Sequence, residues 1–540
     1  MIIPLFSLGT KSKSVTVSAQ EHVNVFAEVS QDADKTPLAF YGMPGLTLST
    51  SFGDTPVRGR IPVDDFLYVV HRGTFWEVNN AGVKVSRGTL NTTSGRVQMA
   101  YNGLQIGIVD GKNLYMYALN RTAQPIASIT NVGTLATLTT AQPHNRYTGE
   151  TVTISGATPA EYNGTFTITA TGATTFTYTM ASNPGASASP VGSYVVASSF
   201  VTVGGGLLAN PFDITWQDHT FIMGFTGSGA IQWSAVDDGT NVSALDFATA
   251  ESSPDDLVRC IADHGEVVLF GKNSIEFWAS TGNLDQPFSN QNGSELEFGL
   301  AAPWSLTKFN DTLIGLVRNG GQVEVRMLQG HTMPKVSSQS MDTIINGYAN
   351  VADATGSAFV YQGHPMYQIN FPSAGTSWVY DASTGLWTSM QSGLAGGRHL
   401  GEMHVDYLNK VRVFDYQNGN IYNLDQTAYT DNGMPIVRQI VGRHVFRDLN
   451  VLRTSFMQID FETGVGVNDG QGSDPQVMLQ VSRDNGHTWG NELWRSMGKI
   501  GEYRTRVIWR RLGRGYDFVF KIRMTDPVKF VLAAAAVTNE

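Results

Sequence analysis

The sequence predicts an all-β protein: a β-propeller interrupted by a small inserted β-sandwich and followed by a C-terminal β-sandwich. Three observations lead there. A strand–turn–strand unit recurs seven times, for most of the chain at about 40–50 residues per step. A stretch of different composition breaks that spacing once. Segments with helical periodicity are nearly absent.

The units read DDFLYVVHRGTFWEVN from Asp64, NGLQIGIVDGKNLYMYAL from Asn102, WQDHTFIMGFTGSGAIQWSAV from Trp216 and DHGEVVLFGKNSIEFWAS from Asp263. They continue with NDTLIGLVRNGGQVEVRML from Asn310, QGHPMYQINFPSAGTSWVYD from Gln362 and LNKVRVFDYQNGNIYNLD from Leu408. Each places a β-rich run, a Gly/Asn/Asp turn and a second run in sequence, which is the signature of a hairpin. Paired strands repeated at this period are the mark of propeller blades, and the count predicts six or seven of them. A pair of packed sandwiches without closure is the alternative.

The step from Asn102 to Trp216 is far longer than the others, and removing about 75 residues restores it. The stretch responsible, about 125–200, is rich in Thr, Ser, Gly and Ala, contains no Lys and alternates apolar with polar residues. It reads as a small β-sandwich carried on a loop. The expected organisation is propeller over 1–124 and 201–440, inserted module over 125–200, and sandwich over 441–540. A short helix is expected within ALDFATAESSPDDLVRCIAD, residues 244–263.

The chain has 540 residues, 41% hydrophobic and only 15% charged, with 57 glycines and a net charge of −10. A quarter charged is usual, so this is a turn-rich β composition. The acidic balance argues against a surface that wraps nucleic acid tightly, though not against one that lets DNA pass. The single cysteine, Cys260, leaves neither an internal disulfide nor a multi-cysteine zinc site. No apolar run reaches membrane-spanning length, and no secretory signal is read at the start.

The chemistry-bearing patterns are few. SRDNGHTW, residues 482–489, has the form of an Asp-box, with Ser482, Asp484, Gly486, Thr488 and Trp489 at the defining positions. Its spacing has a structural reading: Asn485 and Gly486 accept positive φ, and Asp484 bonds its own downstream backbone. Thr488 and Trp489 are then expected to start a strand. The adjacent acids Asp64–Asp65, Asp237–Asp238 and Asp255–Asp256 stand in turn contexts, as do His219, His264 and His364. No metal-ligand, nucleophile-elbow or phosphate-loop spacing is present, so no catalytic residue, metal or cofactor is expected.

One charge concentration is basic. From Arg495 to Lys529 ten cationic residues face Glu502, Asp517 and Asp526 alone. Arg504 and Arg506 are expected on one strand face, with Arg510 on it again under regular pairing. Arg504, Arg506, Arg510 and Arg511 are the candidate partner interface. A solvated strand face, an acidic protein surface and DNA phosphate are the three readings open here.

The opening KSKSVTVSAQEHVNVFAE, followed by KTPLAFYGMPGLTL, resembles the start of the packaged-DNA stabilisation, or tail hub (nozzle), family of short-tailed bacteriophages. The resemblance is carried by Gln20, Val23, Asn24, Glu28, Tyr41, Gly42, Pro44, Gly45 and Leu46. The end of the chain, from VSRDNGHTW through FKIRMTDPVKFVL, is similar to the end of the same family, and the insert resembles a small immunoglobulin-like module of phage structural proteins. The resemblance implies a non-enzymatic virion protein, assembled in the host cytoplasm into the phage tail. It implies a homo-oligomer, a hexameric ring below the portal. That ring would contact the adaptor ring and fibres or spikes, pass double-stranded DNA without sequence specificity and retain packaged DNA. A receptor-binding or glycan-cleaving tail protein with a propeller fold is the rival.

Overall fold

A computed structural model describes residues 5–29, 36–119, 123–144, 146, 148–196, 199–250, 255–283, 285–291, 293–447 and 450–539. They fall into two compact units. The first comprises residues 1–97, 224–231 and 248–540, the second residues 98–223 and 232–247.

Each of the seven repeated units is a hairpin; five lie at the centre of their sheet, the Asn310 hairpin ends on an edge strand, and the Gln362 hairpin lies in a ten-stranded sheet. The turns explain why. Five of the units begin with a two-residue loop in which both residues have positive φ: Asp218–His219, His264–Gly265, Asn310–Asp311, Gln362–Gly363 and Leu408–Asn409. Two left-handed residues make the type I′ turn whose twist matches that of paired strands. His219 and His264 are therefore turn residues by backbone conformation, while His364 opens a strand, its Nδ1 2.9 Å from Asp381.

In the first unit the sheet of Val57–Val63, Phe66–His71, Thr74–Val78 and Lys84–Thr89 is a simple antiparallel meander, and so is that of Leu257–Asp263, Glu266–Gly271, Ile275–Ser280 and Phe288–Asn290. The next sheet departs from the pattern. Its first strand is split by a 3₁₀ turn at Pro303–Ser305, and beside its last strand, Gln322–Met327, lies the one α-helix among the described residues, Gln339–Asn346. Ser338 caps that helix, Met341 and Ile345 bury its inner face, and Asn346 exchanges hydrogen bonds with the Val323 backbone at 2.7 and 2.9 Å. Among the described residues of 244–263 no helix forms. Asp238–Thr249 and Leu257–Asp263 are strands, and residues 251–254 lie outside the described set. Leu257 and Cys260 are buried and Val258 and Ile261 pack against the core of the repeat sheets, so an apolar spacing that also suits a helix face serves a two-sided strand here.

The last repeat, Gly401–Tyr407, Lys410–Asp415 and Asn420–Asp425, takes its fourth strand from the other end of the sequence. Gly45–Ser51 pairs antiparallel with it, Gly45 opposite Asp425. Position 45 must be glycine, because a Cβ there would stand 2.3 Å from the Thr430 carbonyl oxygen.

The first three strands fall in the span expected to be propeller, yet they supply no repeat hairpin; Glu21–Val23 instead pairs parallel with Trp387–Met390, the strand beside the Gln362 hairpin in its sheet, Val23 opposite Ser389. Glu21–Val23 pairs with Arg438–Val441, and Leu38–Gly42 pairs with both Val25–Val29 and Val531–Asn539. They complete a C-terminal sandwich. One of its sheets continues from the Gln362 repeat strands through Glu21–Val23, Arg438–Val441, Asp517–Met524, Gln476–Ser482 and Leu493–Ser496; the other runs through Val25–Val29, Leu38–Gly42, Val531–Asn539, Leu452–Phe461 and Val507–Gly515. Between them lies a continuous core that includes Trp509, Phe518, Phe520, Ile522, Met457 and Leu479.

In the second unit the repeat sheet of Gln98–Tyr101, Gln105–Val109 and Leu114–Ala118 is completed by Ser199–Val203, 80 residues downstream of its third strand in sequence numbering. The chain between forms two four-stranded sheets, with Thr151–Ala157 and Val191–Val196 in one and Leu135–Thr139 and Thr175–Thr179 in the other. Their facing side chains make a separate core around Leu138, Val152, Phe176, Tyr178 and Tyr194. The alternation of Thr with apolar residues thus becomes an outward Thr face and an inward apolar one.

Candidate functional site: the basic edge of the C-terminal sandwich

The Asp-box turn joins Gln476–Ser482 to Leu493–Ser496. Asp484 accepts the Thr488 amide at 2.9 Å through Oδ1 and the Thr488 hydroxyl at 2.6 Å through Oδ2. Ser482 donates its hydroxyl to Asp484 at 2.7 Å and accepts the Gly486 amide at 2.9 Å. Asn485 and Gly486 take φ of 62° and 87°. Bonds from Thr488 and Ser482 favour the carboxylate and lower the Asp484 pKa to about 2. Thr488 and Trp489 do not start a strand; the next one begins at Leu493. The Asp484–Thr488 bonds curl the chain back on itself, which takes both residues out of ladder geometry. Trp489 instead packs, like Val15, against the buried cluster of Ala19, Val441 and Val519, with Lys521 Nζ 4.0 Å above its ring. Gly486 sits so close to Ala19 that a Cβ would lie 2.9 Å from it, so the turn also seats the N-terminal segment.

The arginines follow from the neighbouring strand. Val507–Gly515 buries Val507, Trp509 and Leu512 and exposes Arg510, Arg511 and Arg514. Strict alternation would send Arg511 inward. Arg511 has φ 61° and the register slips opposite it, between Thr454 and Phe456, so this bulge turns two consecutive arginines outward. Arg483 holds the bulge, donating twice to the Leu512 carbonyl at 2.7 and 3.1 Å. Arg504 and Arg506 do not share a strand face: both precede the strand, and Arg504 lies in a turn. Gly498 and Gly501, both at positive φ, coil the chain there and interrupt the periodicity.

Much of the remaining charge is matched within the sandwich. Lys529 pairs with Glu462 at 2.8 Å, Arg523 stands 3.8 Å from Glu492, and Arg506 donates to Gln458 at 2.6 Å. Arg504, Arg510, Arg511 and Arg514 have no carboxylate within 4 Å among the described residues. Arg453, which sequence reasoning did not single out, is the cross-strand partner of Arg514. Like charges directly opposite one another are destabilising. Its signal was absent from the linear pattern, because it lies 42 residues upstream of Arg495. Exposed aromatics share this sandwich: Trp494, Tyr503 and Tyr516 are 53%, 75% and 63% accessible. Arg, Trp and Tyr are the residues that dominate protein interfaces.

The acidic pairs have local roles. Asp64 and Asp237 adopt positive φ in turns. Asp255 holds the Ser274 hydroxyl at 3.1 Å, and Asp256 pairs with Lys272 at 2.5 Å. Among the described residues no group of His, Cys, Asp and Glu is arranged to hold a metal ion, and no helix is long and apolar enough to cross a membrane.

Two residues of the N-terminal resemblance, Asn24 and Gly42, lie against the segment 437–438. Asn24, at φ 51°, donates to the carbonyls of Gln391 and Val437, both at 2.9 Å, and accepts the Gln391 amide at 3.0 Å. Gln20 accepts from Ser7, and Gly42 leaves room for the buried Arg438, whose Nε would lie 2.5 Å from a Cβ.

The family model described as Bacteriophage P22 Gp10, beta-propeller, matches residues 145–429, over half of the chain. The model described as Bacteriophage P22 Gp10, beta-sandwich, matches residues 437–540. The tail hub protein gp10 of Salmonella phage P22 is 23% identical over 307 residues, covering 54% of this chain and 62% of that protein. The chain thus spans less than two thirds of that relative's length. Among solved structures, the phage phi92 endosialidase is similar at 11% identity over 71% of this chain and 69% of its own, with a TM-score of 0.36. The WD40 domain of Neurospora crassa Pan2 is similar at 8% identity over 71% and 96%, with a TM-score of 0.35.

Proposed function

The chain belongs to the family described as Bacteriophage P22 Gp10, beta-propeller, and from that premise we propose that it is a non-enzymatic structural protein of a short-tailed phage tail. In this reading six copies form the hub, or nozzle, ring. The ring extends the DNA channel below the portal and adaptor, helps to retain packaged DNA and anchors fibres or spikes. The observation that carries it is the succession of both family domains along one chain, residues 145–429 and then 437–540.

The organisation we propose takes 1–124 and 201–440 as propeller, 441–540 as sandwich and 125–200 as an immunoglobulin-like insert. Support for the insert comes from its separate core, and the sandwich takes in strands from residues 21–42. Arg504, Arg506, Arg510 and Arg511 are proposed to face a neighbouring protein. Support comes from arginines without carboxylate partners on a chain of net charge −10, and from the Arg453–Arg514 opposition. Planar guanidinium pairs well with carboxylates at subunit contacts. An arginine-lined lumen would hold DNA through salt-dependent phosphate contacts and slow its passage. The Asp-box is proposed to be structural, since both oxygens of Asp484 are engaged within the turn.

Native mass spectrometry and negative-stain imaging of the chain with its adaptor ring test the reading. A six-fold ring with a central channel supports it; a trimer, or glycan hydrolysis by the purified chain, rejects it.

A further inference from the structure

A cavity of about 480 Å³ lies between the repeat sheet that starts at Val57 and the one that starts at Gly401, both in the first unit. Its lining includes four arginines, Arg58, Arg72, Arg96 and Arg398, and a single carboxylate, Glu402. Two of these charges are accounted for at once: Arg72 pairs with exposed Asp54 at 2.6 Å, and Arg398 pairs with Glu402.

Arg58 is a tether. It donates to the carbonyls of Arg72, Thr92, Ser94 and Gly95 and to the Thr92 hydroxyl, all at 2.6–2.8 Å. One guanidinium therefore gathers three carbonyls of the loop 92–95 on one side. The amides of Thr93, Ser94, Gly95 and Arg96 make no hydrogen bond within the chain among the described residues. Successive unengaged backbone amides in a turn are a recurrent way of binding anions.

Two arginines supply charge beside that loop. Arg96 has no carboxylate within 4 Å among the described residues, and its guanidinium lies over the Trp304 ring at 5.2 Å, while Arg259 lies over the same ring at 5.1 Å. Burial lowers the Arg96 pKa to about 10, Glu402 opposing this and Arg259 adding to it, so the group is still charged at neutral pH. Arg398 has a side chain only 8% exposed, and its Nε finds no acceptor. A buried charged donor left unmade is costly. Its plane is fixed by Tyr416, 3.9 Å beneath it, so the orphan cannot turn away.

We propose that this cavity is a binding site for a phosphate group, held by Arg96, Arg398 and the amides and hydroxyls of Thr93 and Ser94. A phosphate offers more acceptor oxygens than a carboxylate and matches a site with guanidinium, hydroxyl and amide donors together. The group comes either from inorganic phosphate or from a small phosphate monoester.

Calorimetric titration of inorganic phosphate into the 540-residue chain tests this, with a nucleoside monophosphate as competitor and acetate as control. The expected result is saturable one-site binding. Arg96→Gln weakens it at least about tenfold, and Ser94→Glu, on an exposed loop position, abolishes it, with both variants melting as the parent does. Competition by the nucleotide assigns the monoester as source, and no competition assigns inorganic phosphate. Absence of saturable binding up to about 10 mM phosphate, equal binding of acetate, or parental affinity in Ser94→Glu overturns the site.

Discussion

The side-chain amide of Asn24 donates to the backbone carbonyl of Val437 at 2.9 Å, across 413 residues of sequence. The same side chain clasps Gln391 through one bond in each direction. It thereby ties the end of one repeat, Trp387–Met390, to the start of the sandwich strand Arg438–Val441. Asn24 is 1% accessible, and its φ of 51° is one that asparagine tolerates better than most residues.

Replacing Asn24 by alanine therefore strands buried backbone groups at both Gln391 and Val437 and strains the backbone. The expected loss is about 2–4 kcal/mol, read as a lower midpoint in urea unfolding. Asn24→Gly, which relieves the φ strain but not the lost bonds, should fall between. Equal stability of parent and Asn24→Ala would remove the joint from the account.

The Asp-box turn should show its role in acid. The Asp484 pKa is lowered to about 2, below the ordinary value near 3.9. Its contribution is thus present above about pH 4 and lost as pH falls towards 2. Asp484→Ala should destabilise the sandwich by about 1 kcal/mol at neutral pH, through lost turn bonds, and the difference from parent should shrink over that acid window. A difference that persists unchanged at pH 2 would mean the carboxylate is not the cause.

Charge reversal of Arg506 and Arg510 separates protein contact from DNA contact. On the protein-contact reading the isolated chain folds normally while assembly onto the phage neck fails. Normal assembly with filled heads that leak DNA would assign the arginines to DNA instead.

Excision of 124–196, which keeps the Ser199–Val203 strand of the repeat sheet and is closed by a short glycine linker, should leave a folded chain, because the module has its own core and loop insertions cost little closure entropy. Differential scanning calorimetry of the deletion should keep a cooperative transition for the remainder. A broad, non-cooperative melt would show that the boundary cuts through shared structure.

The repeats were legible because their turns are local. Asp218–His219 and Asn310–Asp311 announce left-handed loops by residue type, and the flanking runs alternate as strands do. What local pattern could not supply was long-range pairing. Nothing in residues 45–51 says that their partner is 420–425, and nothing in 21–42 says that they complete a sheet begun after residue 437. The arginine face was half visible: its charge stood out, but the bulge at Arg511 and the coil at Gly498 and Gly501 re-aimed individual side chains. The phosphate cavity was invisible, since Arg96 and Arg398 meet only through pairing of sheets more than 300 residues apart.

The most direct test of the central claim is electron cryomicroscopy of the intact virion, with this chain fitted into the tail density. The account predicts six copies around the tail axis, below the adaptor, with the Arg510 edge against a protein neighbour. Density for the chain in a peripheral trimeric spike, or none in the virion, would contradict it.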